Sequence, residues 1–207
     1  MKSASLKPYW IHEDLLTCES TQACAIEKIR QGQYSQPFAI SSQQQTKGVG
    51  RRGDPWVDSG ASVALSLGWH VQEGQDATPD ERWPSWVSFW VWQALQSFAI
   101  ELGSRVYLKW PNDLVYQDKK LGGVIVSQLV YRGETYRVAG VGLNLAWVEP
   151  PPVGLRVTDL ASITHRPIDR LAVISGILES IATGLQDKGD RQQLNQAVAK
   201  LRVVPIS

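Results

Sequence analysis

The first candidate for chemistry is a glycine-rich, basic stretch from Gln45 to Trp56. Its three glycines allow the backbone to approach a ligand closely and to adopt positive φ angles. Lys47, Arg51 and Arg52 add positive charge, and an arginine can hold a phosphate through two parallel hydrogen bonds. The stretch predicts a loop that covers an anionic ligand, with Trp56 as an apolar wall, although a solvated basic loop has the same composition.

The glycines of this stretch match two familiar nucleotide-binding patterns only in part. Gly48 to Gly53 reads G-x-G-x-x-G, but the dinucleotide pattern needs a helix directly after the glycines, so that the helix N-terminus meets a pyrophosphate. Here Asp54-Pro55-Trp56 follows, and the next regular element predicted is a strand. A Walker loop also fails, because no Lys-Ser or Lys-Thr pair follows the last glycine. Both patterns are therefore disfavoured.

Three further positions place polar or charged side chains beside structural signals. Lys109 to Leu114 reads Lys-Trp-Pro-Asn-Asp-Leu, and Pro, Asn and Asp alone would predict a tight turn. Lys120 lies at a polar hairpin tip and can equally be a solvated charge, but the Leu-Gly-Gly after it indicates a backbone packed closely against another group. Ser20 precedes an apolar helical pattern, so it can cap that helix and still contact a ligand.

Strands dominate the middle of the chain, and helices are predicted on either side of them. The predicted strands cover residues 38–40, 61–69, 105–110, 113–116, 121–130 and 135–145. The first predicted helix begins at Ser20-Thr21 and ends at residues 31–33, and Leu171 to Leu185 repeats at helical spacing. The fold class is therefore α+β, a mixed sheet flanked by helices and covered on one face.

A tryptophan-rich apolar run from Trp86 to Ile100 is predicted to be a buried helix. Pro84-Ser85 is its start signal, and residues 72–84 before it read as a polar loop. The run is shorter than the roughly 20 residues that a bilayer span needs. We therefore expect a core helix and no association with a membrane.

Composition narrows the class of protein further. The 207 residues are 43% apolar and 20% charged, which suits one globular domain. A net charge of +1 gives no general attraction to nucleic acid. Cys18 and Cys24 are predicted to lie on one helix and are too few for a disulfide framework, which favours a reducing, cytoplasmic location. We expect a cytoplasmic protein that binds neither nucleic acid nor membrane.

Five segments together resemble the biotin protein ligase family. They are Glu19 to Gln22, Gln45 to Gly53 with Trp56, Lys109 to Leu114, Lys120 to Val124 and Val141 to Leu145. They occur in the family's order and at about its spacing, and they span residues 19–145. Each motif alone has low specificity, but five motifs in the family's order and spacing together are specific.

The resemblance implies a catalytic domain related in fold to class II aminoacyl-tRNA synthetases. It implies an ATP-dependent ligase, with Mg²⁺ and with biotin as substrate, that forms biotinyl-5'-AMP. The biotin then passes to a lysine of the biotin carboxyl carrier protein of acetyl-CoA carboxylase. A lipoate or octanoate transferase of the same superfold, or a non-catalytic biotin-binding module, remains the alternative. A monomer and a homodimer are both compatible with the sequence.

The resemblance also implies roles for individual residues. The implied catalytic residues are Lys120, Arg51 and Asp113. The implied biotin contacts are Ser20, Thr21, Gln22, Gln45, Val49, Gly50, Arg51, Lys120 and Gly123. The implied contacts to ATP and the adenylate are Arg51, Arg52, Trp56, Asn112, Lys120 and Asn144. Lys120 would bridge the biotin carboxylate and the α-phosphate, and Asp113 would bind Mg²⁺ or orient the incoming lysine.

The chain departs from the family's pattern inside the motifs and at its ends. Gln22 replaces the commoner Asn, Val49 replaces a frequent Arg, and Asp54-Pro55 stands where basic residues usually precede the tryptophan. Ser20 lies too near Met1 for the N-terminal winged helix of many relatives. Too few residues follow the last predicted helix for a complete C-terminal SH3-like barrel. We therefore expect residues 1–207 to form a single catalytic domain without a DNA-binding role.

Overall fold

One mixed sheet organises the part of the chain that the structure describes. This computed structural model describes residues 10–34, 36–71, 81–98, 106–187 and 191–200. The strands are β1 (Ile11–Cys18), β2 (Phe38–Gln45), β3 (Gly60–His70), β4 (Val106–Lys109), β5 (Asp113–Tyr116), β6 (Lys119–Tyr131) and β7 (Glu134–Trp147). Their order across the sheet is β1-β2-β3-β7-β6-β5-β4. The β1–β2 pair is parallel and the other pairs are antiparallel, so the predicted α+β class with a mixed sheet is confirmed.

Most of the core lies on one face of the sheet, beneath a Trp-rich helix. The helices are α1 (Thr21–Arg30), α2 (Trp83–Phe98), α3 (Leu160–Thr164), α4 (Arg170–Gln186) and α5 (Arg191–Lys200). On α2, Trp83, Trp86 and Trp90 are buried, and they pack with the apolar side chains of α4 and of the central strands. Burial of a large apolar side chain contributes about 2–3 kcal/mol, so these tryptophans are a major part of the core.

The second face of the sheet is also covered, contrary to the expectation of a single covered face. On α1, Ala25 and Ile29 pack against Phe38 and Ile40 of β2 and against β7. Successive side chains of a strand point to opposite faces, and the Phe-Ala-Ile run at the start of β2 is apolar at each of its positions. The strand therefore buries Phe38 and Ile40 under α1, and it buries Ala39 in the larger core.

Several predicted elements are confirmed, but the single helix predicted to hold both cysteines is wrong. Cys18 is the last residue of β1 and Cys24 lies in α1, so the two cysteines do not share a helix. The extended backbone of Ser20, with φ −156° and ψ 126°, separates the strand from the helix. The Trp-rich helix and the C-terminal helix are confirmed, and no described helix is long and apolar enough to cross a bilayer. Ile100 and residues 72–80 of the predicted polar loop lie outside the described residues, and residues 83 and 84 of that loop belong to α2 instead.

A bidentate ion pair anchors β1, the strand that leads into α1. The guanidinium of Arg170, at the start of α4, donates to both carboxylate oxygens of Asp14 at 3.0 and 2.9 Å. These hydrogen bonds hold the pKa of Asp14 below its ordinary value. Because β1 ends two residues before Ser20, the ion pair also fixes the entry to the site described next.

Candidate active site

A cavity of about 440 Å³ opens on the sheet face that carries α1. It is lined by residues from the starts of α1 and β5, the end of β2, the first half of β6, the middle of β3 and β7, and two loops. The predicted site residues that line it are Ser20, Thr21, Gln22, Gln45, Val49, Gly50, Arg51, Arg52, Trp56, Asn112, Asp113, Lys120 and Gly123. The fold therefore brings together residues that are up to about a hundred positions apart in the sequence.

The floor of the cavity consists of Ser20, Thr21, Gln22, Gln45 and Ser66. Ser20 caps α1 by accepting a hydrogen bond from the Ala23 amide, so its hydroxyl proton is left for another partner. The side-chain carbonyl of Gln45 accepts hydrogen bonds from the amide of Thr21 at 2.8 Å and from its hydroxyl at 3.2 Å. The helix start and the end of β2 are thereby held in one arrangement.

A second set of hydrogen bonds ties the floor to the sheet. The Ser66 hydroxyl lies 3.0 Å from the Thr21 hydroxyl and 3.1 Å from the side-chain carbonyl of Gln22. The amide nitrogen of Gln22 donates to Ser127 and to the carbonyl of Val138. Ser20, Thr21, Gln22 and Ser66 are all buried. The floor is therefore a rigid polar surface at the buried end of the cavity.

Two glycines of β7 make room for the side chains above them. A Cβ atom at Gly140 would lie 2.7 Å from the side-chain oxygen of Gln22, and a Cβ at Gly142 would lie 2.9 Å from the ring of Trp56. Contacts this short are not tolerated without displacement of the neighbour. The side chain of Gln22 and the indole of Trp56 therefore depend on glycine at these two positions.

The covering loop, Gly48 to Trp56, is closed by its own backbone hydrogen bonds. Val49 forms a β-bridge with Pro55, the amide of Gly50 donates to the carbonyl of Asp54 at 2.6 Å, and the amide of Trp56 donates to the carbonyl of Gly48 at 2.9 Å. Arg52 has a φ of 62° at the tip of the loop. The loop therefore has a defined shape, and its two arginines extend towards solvent.

The rim of the cavity consists of Arg51, Asn112, Asp113 and Lys120. The ammonium group of Lys120 lies 2.8 Å from a carboxylate oxygen of Asp113, and the two side chains are 39% and 25% exposed. Gly123 keeps this corner open, because a Cβ there would lie 3.2 Å from the Asp113 carboxylate. Arg51 donates to the side-chain carbonyl of Asn112 at 3.3 Å. The rim is therefore polar, charged and accessible, in contrast to the buried floor.

Asn144 is the one predicted site residue that does not line the cavity. It is 2% exposed, and its amide nitrogen donates to the carbonyl of Thr158 at 3.0 Å. The backbone around Thr158 in turn pairs with Lys120, through hydrogen bonds from the Lys120 amide to Arg156 and from the Thr158 amide to Lys120. Asn144 therefore supports the segment that runs beside Lys120, and its own carbonyl oxygen has no hydrogen-bond partner among the described residues.

Several lining residues carried too weak a signal in the sequence to be predicted. Ser66 and Gly140 are inner positions of long strands, and only the register of β3, β7 and α1 brings them to the floor. Trp110 and Pro111 belong to a recognised motif, but no role was predicted for them. Alternation of small residues along β3 and β7 was the available signal, because small side chains on one face of a sheet leave space for a ligand.

The charges around the cavity suit an anionic ligand at the rim. Arg51, Arg52 and Lys120 carry positive charge, and the carboxylates of Asp54 and Asp113 balance part of it. In the described part of the chain, no cluster of three or more His, Cys, Asp and Glu side chains has the arrangement of a metal site. The arrangement can hold an apolar ligand with a polar head on the floor and a reacting anion at Lys120.

Comparison with known proteins gives a consistent picture. The model of the biotin/lipoate A/B protein ligase family matches residues 16–144. The chain is 30% identical over 131 residues to the bifunctional ligase/repressor BirA of Escherichia coli, a match that covers 62% of this chain and 38% of that protein. It is 27% identical over 167 residues to a biotin–[acetyl-CoA-carboxylase] ligase of Mycobacterium tuberculosis, which covers 78% of this chain and 59% of that protein.

A solved structure extends the similarity to most of the fold. The biotin acetyl coenzyme A carboxylase synthetase of Helicobacter pylori, determined with bound biotinylated ATP, superposes with a TM-score of 0.70 at 26% identity. The match covers 93% of this chain and 81% of that one. By contrast, the matches to the two sequence relatives span only 38% and 59% of the length of those proteins.

Proposed function

Because the family model spans more than half of the sequence, this chain belongs to the biotin/lipoate A/B protein ligase family, and we propose that it is a biotin protein ligase. In the first step, the biotin carboxylate attacks the α-phosphate of ATP and expels pyrophosphate, which gives biotinyl-5'-AMP. In the second step, the amine of a carrier lysine attacks the acyl carbon, an amide bond forms and AMP leaves. The net cost is one ATP for each biotin attached.

The observation that carries this proposal is the polar floor at the buried end of the cavity. Biotin ends in a ureido ring, which presents one carbonyl acceptor and two N–H donors. At that end Ser20 retains a hydroxyl proton and Gln45 a side-chain amide group, whereas the Ser66 hydroxyl already bonds to Thr21 and Gln22. The dithiolane ring of lipoate has no strong donor or acceptor, so it would leave the buried Ser20 hydroxyl without a partner for that proton, at a cost of about 1–3 kcal/mol. The floor therefore favours biotin over lipoate.

Lys120 is the proposed catalytic residue at the other end of the cavity. Two anions, a carboxylate and a phosphate, must approach each other, and a cation placed between them offsets their repulsion and stabilises the charge that develops on the phosphate oxygens. The ammonium of Lys120 has three donors and is already held by Asp113 at 2.8 Å. Asp113 therefore orients Lys120 in the first step, and it stands beside the acyl phosphate that the incoming lysine amine attacks in the second.

The covering loop is proposed to protect the intermediate. Biotinyl-5'-AMP is a mixed anhydride that water would hydrolyse, so exclusion of solvent has a direct purpose. All four of Val49, Gly50, Arg51 and Arg52 line the cavity. In this proposal Val49 and Gly50 would cover biotin, and Arg51 and Arg52 would provide cations for the phosphate. Arg51 already bonds to Asn112 across the cavity mouth, at 3.3 Å. This hydrogen bond links the covering loop to the rim, and we expect closure of the loop over the ligand to take place along this contact.

Trp56 and Asn144 are proposed to receive the adenine base. The ring of Trp56 forms an apolar wall next to Gly142, and the buried amide of Asn144 follows Gly142 on the same face of β7. An orphaned carbonyl oxygen in a buried amide is costly unless a ligand supplies a donor. The adenine amino group supplies such a donor.

Mg²⁺ fits this site as a companion of the nucleotide. The carboxylates that line the cavity are Asp54 and Asp113, and Asp113 is paired with Lys120. Magnesium commonly keeps several waters and binds through substrate phosphates with one or two carboxylates. Asp113 is the proposed protein ligand, and the metal would neutralise charge on the phosphates.

The proposed acceptor is the biotin carboxyl carrier protein of acetyl-CoA carboxylase. The carrier must present a lysine amine to the acyl carbon held at Lys120 and Asp113, and both side chains are accessible from solvent. The relatives whose names include acetyl-CoA carboxylase support this choice of carrier.

Ligand-induced stabilisation and pyrophosphate exchange test the proposal together. A ligand that binds the folded state raises the apparent melting temperature, so biotin should raise it and lipoate should not. Biotin should also drive exchange of labelled pyrophosphate into ATP, which reports adenylate formation without a carrier. Stabilisation by lipoate alone would contradict the substrate assignment. Biotin binding without pyrophosphate exchange would contradict the assignment as a ligase and would favour a non-catalytic biotin-binding module.

A further inference from the structure

Three buried polar atoms, at the end of the covering loop and beyond it, have no hydrogen-bond partner among the described residues. They are the indole N–H of Trp56, one carboxylate oxygen of Asp58 (Oδ2) and the carbonyl oxygen of Asn144. A buried polar group without a partner costs about 1–3 kcal/mol. Such atoms call for an explanation, and a ligand that supplies their partners is one.

The strand register places Asp58 close to Asn144. Ser62 of β3 is the cross-strand partner of Asn144 of β7, so their side chains share one face of the sheet. The Ser62 hydroxyl donates to Asp58 Oδ1 at 3.1 Å, and the amide of Gly60 donates to the same oxygen at 3.0 Å. One carboxylate oxygen therefore holds the turn before β3, and the other is left for a different partner.

The region behind Trp56 adjoins the cavity without forming part of it. Trp56 and Gly142 line the cavity, whereas Asp58 and Asn144 do not. The indole of Trp56 lies so close to Gly142 that even a methyl group there would touch it. Asn144 follows Gly142 by two residues on the same face of β7, so the indole borders both the cavity and this region.

The donors and acceptors in this region are complementary to one class of base. The acceptors are the oxygens of Asp58 and Asn144, and the donor is the indole N–H of Trp56. The exocyclic amino group of adenine has two hydrogens, one for each acceptor, and an adjacent ring nitrogen can accept from an N–H donor. A base with a carbonyl oxygen in place of the amino group would place a third hydrogen-bond acceptor against these two acceptors and could not donate to either of them.

We propose that Asp58 is a specificity-determining residue of the nucleotide site, where its free carboxylate oxygen accepts a hydrogen bond from the amino group of a 6-aminopurine. The proposal rests on the ligase function proposed above and adds a basis for choosing ATP over 6-oxopurine nucleotides. A site built to receive an N–H group rejects an analogue that lacks it, because its buried acceptors are then left unpaired.

The test compares ATP with inosine triphosphate, which differs by replacement of the amino group with a carbonyl. Biotin-dependent pyrophosphate exchange is measured with both nucleotides, for the unchanged protein and for Asp58→Asn. The asparagine keeps an oxygen for the Gly60 amide and can turn its N–H group towards the base. We expect the unchanged protein to prefer ATP in kcat/KM, and we expect Asp58→Asn to reduce that preference by about tenfold, the equivalent of one hydrogen bond to a charged group.

Three results would overturn the inference, and each has a distinct signature. Equal kcat/KM values for ATP and inosine triphosphate in the unchanged protein would show that the site does not select the amino group. This result does not depend on whether the variant folds. An equal loss with both nucleotides in Asp58→Asn, at an unchanged ratio, would show that Asp58 only holds the turn. No exchange with either nucleotide in the unchanged protein, despite biotin binding, would contradict the ligase function as well.

Discussion

The floor and the rim of the cavity differ in how complete their interactions are without a ligand. On the floor, Thr21, Gln22, Gln45 and Ser66 satisfy one another through hydrogen bonds of 2.8–3.2 Å. On the rim, Arg51 has one hydrogen bond of 3.3 Å to Asn112. The nearby Trp56 and Asn144 keep buried polar atoms without partners among the described residues.

This difference suggests an order of assembly. A surface that is already rigid loses little conformational entropy when a ligand binds, so biotin should bind the floor without a nucleotide. The rim and the covering loop still have interactions to form, and the ligands that complete them are the nucleotide and then the adenylate. The predictions below separate the two regions, because a change on the floor should affect biotin binding and a change at the rim should affect the chemistry.

Replacement of Lys120 should have the largest effect. In Lys120→Ala the cation between carboxylate and phosphate is lost, and we expect adenylate formation to fall by about 10²- to 10³-fold while biotin still binds. Pyrophosphate exchange and biotin titration calorimetry measure the two properties on one sample. Lys119→Ala is the matched control, because Lys119 is the exposed neighbour on the same strand. Full exchange activity in Lys120→Ala would remove the role assigned to this residue.

Gly140 and Gly142 of β7 allow the same substitution to be made once against the floor and once against the nucleotide region. Gly140→Ala pushes on the Gln22 side chain of the floor, so it should weaken biotin binding by about 10- to 100-fold, the equivalent of 1–3 kcal/mol of overpacking. Gly142→Ala pushes on Trp56 instead, and it should raise the KM for ATP with little change in biotin affinity. If both variants lose biotin affinity equally, the floor and the nucleotide region are not separate units.

Loss of the Arg51 side chain should allow biotinyl-5'-AMP to dissociate from the site before transfer. Arg51→Gly removes the hydrogen bond to Asn112 and a cation beside the phosphate, so we expect release of the adenylate to rise by about tenfold. Free adenylate labels lysines at random, and mass spectrometry of a bystander protein detects this labelling. Lys47→Ala is the control, because Lys47 forms an exposed ion pair with Glu19 outside the cavity. Labelling confined to the carrier would contradict the role of the loop in retention.

The smallest expected effect concerns the ion pair between Arg170 and Asp14, which anchors β1, the strand before the floor. Arg170 holds the pKa of Asp14 below its ordinary value, so the folded state favours the carboxylate. The stabilisation is present above the ordinary pKa of about 4 and is lost as the pH falls through the lower folded value. Asp14→Asn should cost about 1 kcal/mol or less at pH 7 and should show a smaller loss between pH 7 and pH 3.

Denaturant unfolding at the two pH values measures this difference. Asp118→Asn, at the exposed turn between β5 and β6, is the control for removal of one negative charge. The same pH dependence in Asp14→Asn as in the unchanged protein would show that the ion pair does not stabilise β1.

The sequence allowed prediction of the residues that carry chemistry better than of the surfaces that position them. All the predicted site residues except Asn144 line one cavity, because each motif is a short segment whose residue types are unusual outside a site. Their individual roles remain predictions. Ser66 and Gly140 escaped prediction because their importance arises from the register of β3 and β7, which no single segment encodes.

The missed elements have a similar explanation. In β1, Ile11 and Leu15 are interspersed with the polar His12, Glu13 and Asp14, so this edge strand carries little apolar signal. The second covered face depended on Phe38 and Ile40, which are buried by a helix that only the tertiary structure places there. Local composition cannot show which face of a strand another element will cover.

Mass spectrometry of a carrier domain tests the central claim most directly. The protein is incubated with biotin, ATP, Mg²⁺ and the unmodified biotin carboxyl carrier domain of acetyl-CoA carboxylase, and the carrier is then weighed and digested. The account predicts a mass increase of one biotin on a single carrier lysine, dependent on ATP and formed far more slowly with Lys120→Ala. An unmodified carrier, in a sample whose biotin binding is intact, would contradict it.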